Sequence, residues 1–167
     1  MSDVLTPEQR RLNMSRIRGL DTLPELLVRK GLHARGLRYR LQDRSLPGRP
    51  DLVFPKHKVV IFVHGCFWHA HGCNLCKVPR TREQFWTEKL SKNRMRDQRV
   101  TEDLNESGWC VLVIWECALR GAGRHDRDQL FDMAETFIRS GTSLYCEITN
   151  SRPLQVSSLP EQFSNPI

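Results

Sequence analysis

The sequence predicts a mixed α/β fold: a central sheet flanked by helices. Three observations predict it. Short apolar stretches at Asp51–Phe54, Lys58–Val63 and Trp109–Trp115 have the composition of buried strands. Segments with helix starts and helical spacing separate them. No internal repeat or low-complexity block divides the 167 residues, a length that suits one domain. The order is α, β-hairpin, cysteine-rich loop, α, β, α, which a mixed sheet between helices accommodates.

Each element has a local reason. Thr6-Pro7-Glu8-Gln9 offers an N-cap, a proline at N1 and a capping-box partner. That helix is expected to run to about Arg18 and to end at Gly19. It carries Arg10, Arg11, Arg16 and Arg18 but few apolar positions, which suits a basic arm better than a core helix. Thr22-Leu23-Pro24-Glu25 repeats the start signal, and Gly36 is the expected stop. Leu37–Gln42 alternates like a half-buried strand, and LPGRP (Leu46–Pro50) is a tight loop. Asp51–Phe54 and Lys58–Val63 form a hairpin around Pro55-Lys56-His57. Helix returns from about Arg82 to Ser107, with an interruption expected near Lys92-Asn93. Trp109–Trp115 is a strand buried on both faces, and Asp128–Arg139 is an amphipathic helix. The signal weakens from Gly141, and the tail after Ser151 reads as loosely ordered.

Composition narrows the function. Net charge is +7, with 26 Lys and Arg against 19 Asp and Glu. That excess favours a polyanionic partner, most simply nucleic acid, although charge alone fits a merely basic protein equally well. The polar N-terminus has no signal-peptide h-region and no window spans a membrane, so the expectation is a cytoplasmic, nucleoid-associated setting with no membrane partner. In that setting the six cysteines are ligands or buried thiols rather than disulfides.

The densest chemistry is HGCFWHAHGC, from His64 to Cys73. Cys66, His71 and Cys73 lie close in sequence, and Cys117 follows a buried strand. Three local ligands and a distant one can build a tetrahedral Cys3His site. Cys76, in a C-x2-C spacing with Cys73, competes with Cys117 on spacing alone. Buried thiols without metal are the plainer reading. Asp51 and His64, on neighbouring strands, can share one edge. A carboxylate suits Mg2+, and an imidazole can act as a base. Taken singly, Asp51 also reads as a turn carboxylate and Glu25 as a capping-box residue. His69 is a spare ligand or a base, and His33 and His57 look like surface residues. Phe67, Trp68 and Trp86 sit among Lys77, Arg80, Arg82, Lys89 and Lys92, as in side chains that wedge base steps. Helical spacing puts Phe85 in the core and leaves Trp86 undecided.

At this point the words NMSRIRGLDT, LPGRPD, VIFVHGCFWHAHGC, KVPRTREQFW, EKLSKNRMRD and GWCVLVIWECALRG resemble the very short patch repair (Vsr) endonuclease family, from about Asn13 to Gly121. The resemblance implies a restriction-endonuclease-like fold. It implies an enzyme that nicks DNA 5′ to the thymine of a T:G mismatch, the product of 5-methylcytosine deamination. The functional partner is then a cytosine-5 DNA methyltransferase in a bacterial cell. Contact with mismatch-repair proteins is a family expectation with no motif here. No dimer seam is visible, so a monomer is expected.

Carried over by position, Asp51 and the backbone carbonyl of Val63 bind Mg2+. His64 takes a place that related nucleases give to lysine. His69 is the general base, Asp97 orients it, and Glu25 holds metal-bound waters. Structural Zn2+ falls to Cys66, His71, Cys73 and Cys117, with Cys76 a bystander. Phe67, Trp68 and Trp86 insert from the major groove and Met14 from the minor groove. The implied organisation is a DNA-contacting arm at 1–20, an endonuclease domain at 21–150 and a loose tail at 151–167. Two rivals are a sequence-specific restriction endonuclease on the same fold and a zinc-stabilised DNA-binding module without catalysis.

Overall fold

The computed structural model describes residues 6–16, 19–150 and 155–156. Helix α1 (Pro7–Arg16) opens with the expected box: the Gln9 N–H donates to Thr6 Oγ1 at 3.2 Å, and the Thr6 N–H donates to Gln9 Oε1 at 3.0 Å. Its expected extension through Arg18 lies outside the described residues. Helix α2 (Leu23–Ala34) starts on Thr22, whose Oγ1 accepts from the Glu25 N–H. It stops as expected at Gly36, where φ is +80° and glycine relieves the strain a side chain would meet.

Strand β1 (Arg40–Leu41) is much shorter than the Leu37–Gln42 strand expected. It is a sheet edge that pairs only with residues 52 and 53. Leu41 is exposed, while Leu37 turns into the core before the pairing starts. Strands β2 (Leu52–Phe54) and β3 (Val59–His64) form the expected antiparallel hairpin, with Leu52 opposite Ile61. Helix α3 (Glu83–Glu106) crosses over to β4 (Cys110–Trp115), which lies parallel to β3. The expected interruption at Lys92-Asn93 is absent: α3 is one continuous helix. The Asn93 side chain does not compete with the helix backbone but donates to the Trp68 carbonyl at 2.9 Å.

Short α4 (Glu116–Leu119) and then α5 (Arg127–Ser140) lead to β5 (Tyr145–Ile148), parallel to β4. Sequence reading missed β5. Only Cys146 and Ile148 of its four residues are buried, too short an alternation to stand out. Gln155–Val156 add β6 antiparallel to β5, and the rest of the tail lies outside the described residues. The six-stranded sheet runs β1-β2-β3-β4-β5-β6, so the expected mixed sheet is present.

The sheet's pleat builds two cores. Val59, Ile61, Leu112 and Ile114 face α2 and α5, meeting Val28, Leu32, Leu130 and Ile138. Val60, Phe62, Val111 and Val113 face Leu104 and Val100 of α3 and the cysteines of the 66–73 loop. Burial of both faces explains why β3 and β4 read as continuous apolar runs rather than alternations. No helix among the described residues is long and apolar enough to cross a membrane.

Candidate active site and metal cluster

The site lies at the C-terminal ends of β3 and β4, where His64 pairs in register with Trp115. Open α/β sheets place ligands at such ends. Asp51 immediately precedes β2. Its Oδ2 accepts the Val63 N–H at 2.8 Å, extending the hairpin ladder with a side chain. Burial foremost, and the negative charge of Glu25, raise the Asp51 pKa to about 6, against the pull of the Val63 N–H, Arg29 and His69. Glu25 is itself buried. It takes the Asp21 N–H at 3.0 Å, the Thr22 hydroxyl at 2.8 Å and Arg29 Nη2 at 3.2 Å. Thus Asp51 and Glu25 share one acidic corner, and Glu25 keeps its capping role. A carboxylate that burial makes hard to ionise is stabilised by a hard cation, so the corner fits Mg2+.

The loop after β3 folds as one helical turn. The His69 N–H donates to the Gly65 carbonyl, the Ala70 N–H to Phe67 at 3.3 Å, and the His71 N–H to Cys66 at 3.0 Å. With Ala70 at φ +52°, this pattern is a Schellman stop in which alanine stands where glycine is usual. The left-handed residue sends His69 and His71 to different neighbours.

His71 joins Cys66, Cys73 and Cys117, with ligand atoms all within 4.8 Å of one another. The Cys117 N–H donates to Cys66 Sγ at 3.3 Å, and Cys117 Sγ lies 3.5 Å from His71 Nδ1. Hydrogen bonding from Cys66 and His71 pulls the Cys117 pKa down, while the same contact and burial push Cys66 up. Glu116 braces the loop by accepting the Cys66 N–H at 3.2 Å. Three crowded thiols and an imidazole are the donor set of a closed zinc site. Cys76 stands outside this cluster, its N–H bonded to the Cys73 carbonyl at 2.9 Å.

His64, His69 and Asp97 form the second cluster. The His64 and His69 rings stack with centroids 3.7 Å apart and planes at 3°. His69 Nδ1 lies 2.5 Å from Asp97 Oδ2. Burial works to raise the Asp97 pKa, but the His69 hydrogen bond and nearby positive charge outweigh it, and the net shift is downward. Burial drops the His64 pKa to about 3, so His64 is neutral near pH 7.

Phe67, Trp68 and Trp86 form an aromatic cluster, with Phe67 5.0 Å from Trp68 and 5.2 Å from Trp86 by ring centroid. Lys89 Nζ sits 5.4 Å from the Trp68 ring. Phe85, expected in the core, is 43% exposed. The inward positions of α3 at that level are Trp86 and Leu90, so Phe85 turns outward, edge-on to Trp86 and beneath the Arg82 guanidinium. Met14 lies on α1, and its side chain lies outside the described residues. Sequence reading passed over Arg29, whose i,i+4 spacing from Glu25 was the available signal, and Trp115, adjacent to Glu116-Cys117. It also passed over Glu147, which nothing in the sequence marked.

Comparison with known proteins adds the class. Residues 2–75 match the family described as DNA mismatch endonuclease Vsr. The chain is 48% identical to the DNA mismatch endonuclease Vsr of Escherichia coli over 138 residues, covering 83% of this chain and 88% of that protein. It is also 48% identical to the type II nicking enzyme V.XorIIP of Xanthomonas oryzae over 123 residues, 74% of this chain and 90% of that one. The type II nicking enzyme V.NmeAIP of Neisseria meningitidis is 43% identical over 120 residues, 72% and 86% of the two chains. By these relationships the chain is a DNA endonuclease. The chain belongs to the Vsr family of DNA mismatch endonucleases.

Proposed function

We propose that this protein nicks double-stranded DNA 5′ to the thymine of a T:G mismatch by Mg2+-assisted hydrolysis, and so initiates very short patch repair. One observation supports this most. A single loop carries Phe67 and Trp68 against Trp86, His69 against Asp97, and Cys66, His71 and Cys73 toward Cys117. The same few residues can therefore read a base step and act on the adjacent phosphate. A wobble pair is easier to unstack than a matched one, which makes insertion of Phe67, Trp68 and Trp86, with Met14 from the minor groove, selective for the mismatch.

Asp51 and the Val63 carbonyl would hold Mg2+, which would supply Lewis-acid polarisation of the scissile phosphate. His69 takes the proton of the attacking water at Nε2, because Nδ1 is engaged by Asp97. Asp97 fixes the ring through its contact with Nδ1. Neutral His64 packs on His69 and offers a hydrogen bond rather than the fixed charge of a lysine. Glu25 orders water beside Asp51. Zinc holds the loop in shape and does no chemistry.

The basic arm within residues 1–20 contacts the DNA, and residues 21–150 carry the nuclease domain, whose sheet also takes in Gln155–Val156. The protein works as a monomer after a cytosine-5 methyltransferase has marked the site. The test is a panel of labelled duplexes carrying T:G or C:G in several cytosine-methylation contexts. A single-strand nick confined to T:G supports the reading. Double-strand cuts in matched DNA favour a restriction enzyme, and binding without cleavage in every context favours a non-catalytic module.

A further inference from the structure

Trp115 ends β4 and touches both clusters. Its ring stacks on zinc-cluster His71 with centroids 4.2 Å apart and planes at 17°. It meets His64 edge-on at 5.3 Å and His69 at 6.3 Å. The ring is 8% exposed, and its single polar atom, Nε1–H, donates to Glu147 Oε2 at 3.1 Å. Glu147 lies on β5, and its other oxygen accepts the Tyr145 hydroxyl. None of the roles above uses Tyr145 or Glu147, yet they sit in the sheet directly behind the site.

An indole free to turn about its Cα–Cβ and Cβ–Cγ bonds would let His71 and His64 tilt, because its flat face and its edge are their walls. The Glu147 hydrogen bond removes that freedom, as a buried donor left without an acceptor is costly. We infer that Trp115 and Glu147 are positioning residues that lock the zinc-cluster imidazole of His71 and the stacked His64–His69 pair into one arrangement, so that loop closure and catalytic geometry are set together. This rests on the nuclease reading for the His64–His69 half. The His71 half stands on the metal cluster alone.

The test uses the full-length, zinc-loaded protein. Trp115→Phe keeps an aromatic wall but loses the N–H. Glu147→Leu removes the acceptor, and Glu147→Gln retains one. Three quantities are read: zinc release to a colorimetric chelator, the single-turnover nicking rate with Mg2+, and binding of T:G duplex in Ca2+. Outer-shell partners of this kind carry about 10- to 100-fold in metal affinity or activity. Trp115→Phe and Glu147→Leu are expected to speed zinc release and slow nicking about tenfold while binding stays within about twofold, with Glu147→Gln near wild type. A drop in thermal stability with zinc release and nicking rate unchanged would overturn the inference and leave Trp115 an ordinary core residue. Equal losses in Glu147→Gln and Glu147→Leu would also overturn it, since retention of the acceptor would not matter. If the wild type nicks no duplex, the nuclease reading fails while zinc release still decides the His71 half.

Discussion

His69 and Asp97 stand 28 positions apart in sequence and 2.5 Å apart in space, joining the loop after β3 to the middle of α3. The same face of α3 carries Trp86 and Asn93, one against the loop's aromatics and the other bonded to the Trp68 carbonyl. The helix therefore grips the loop at three heights. Asp97→Asn keeps the shape but replaces the carboxylate that holds His69 Nδ1 with a neutral amide. Nicking is expected to fall about a hundredfold to ten-thousandfold, the usual range for general-base catalysis. Mismatch binding should stay near wild type, and single-turnover rates beside gel-shift titrations measure both.

In the proposed Mg2+ site, Asp51 is expected to link metal binding to pH. As an acid whose folded pKa is raised from 3.8 to about 6, it opposes folding once ionised. Without metal, that cost is complete above about pH 6 and relieved as pH falls toward 4. Mg2+ needs the ionised form, so its affinity should weaken on acidification: at pH 5.5 only about a quarter of Asp51 is ionised, an expected fourfold loss relative to pH 8. Calorimetric Mg2+ titrations at the two pH values check this. Asp51→Ala should remove the site and its pH dependence together.

In the proposed zinc site, metal binding is expected to be coupled to folding through Cys117, which ties the loop to the end of β4. Cys117→Ser is expected to lose bound zinc and lower the melting temperature, because a structural ion contributes directly to folding. Cys76→Ser should keep one zinc per chain, since Cys76 stands outside the cluster. Elemental analysis with thermal melts separates the two.

Trp68→Ala addresses the wedge. A base stacked on an aromatic is worth about 1–3 kcal/mol, so binding of the T:G duplex should weaken about tenfold while matched DNA changes little. Full-strength mismatch preference in this variant would remove Trp68 from recognition.

Ala70 occupies the left-handed region at φ +52° between two histidines with different neighbours. Ala70→Gly should stabilise the zinc-loaded protein by about 0.5–1 kcal/mol, relief of the left-handed strain being partly offset by glycine's freer unfolded chain. Denaturant unfolding measures it.

What the sequence disclosed follows physical rules. The β2–β3 hairpin and β4 were legible because two buried faces make unbroken apolar runs. The caps at Thr6 and Thr22 were legible because their chemistry is local. Cys66, His71 and Cys73 were legible as ligands from spacing, whereas Cys117 over Cys76 and Asp97 beside His69 came only from family likeness, since each depends on a long-range contact. β5 hid because Tyr145 and Glu147 look polar until Trp115 is placed beside them. Phe85 was misplaced because helical spacing gives a period and not which face meets the sheet. Asn93 looked like a breaker because its true acceptor, the Trp68 carbonyl, is 25 residues away.

The central claim is that one loop couples mismatch reading to hydrolysis at Asp51 and His69. Nucleotide-resolution mapping of product strands from an end-labelled T:G duplex, with wild type and Asp51→Ala in Mg2+, tests it most directly. The expected result is one break immediately 5′ of the mismatched thymine, in that strand only, lost in Asp51→Ala while binding persists. A break elsewhere, in both strands, or undiminished in Asp51→Ala would contradict it.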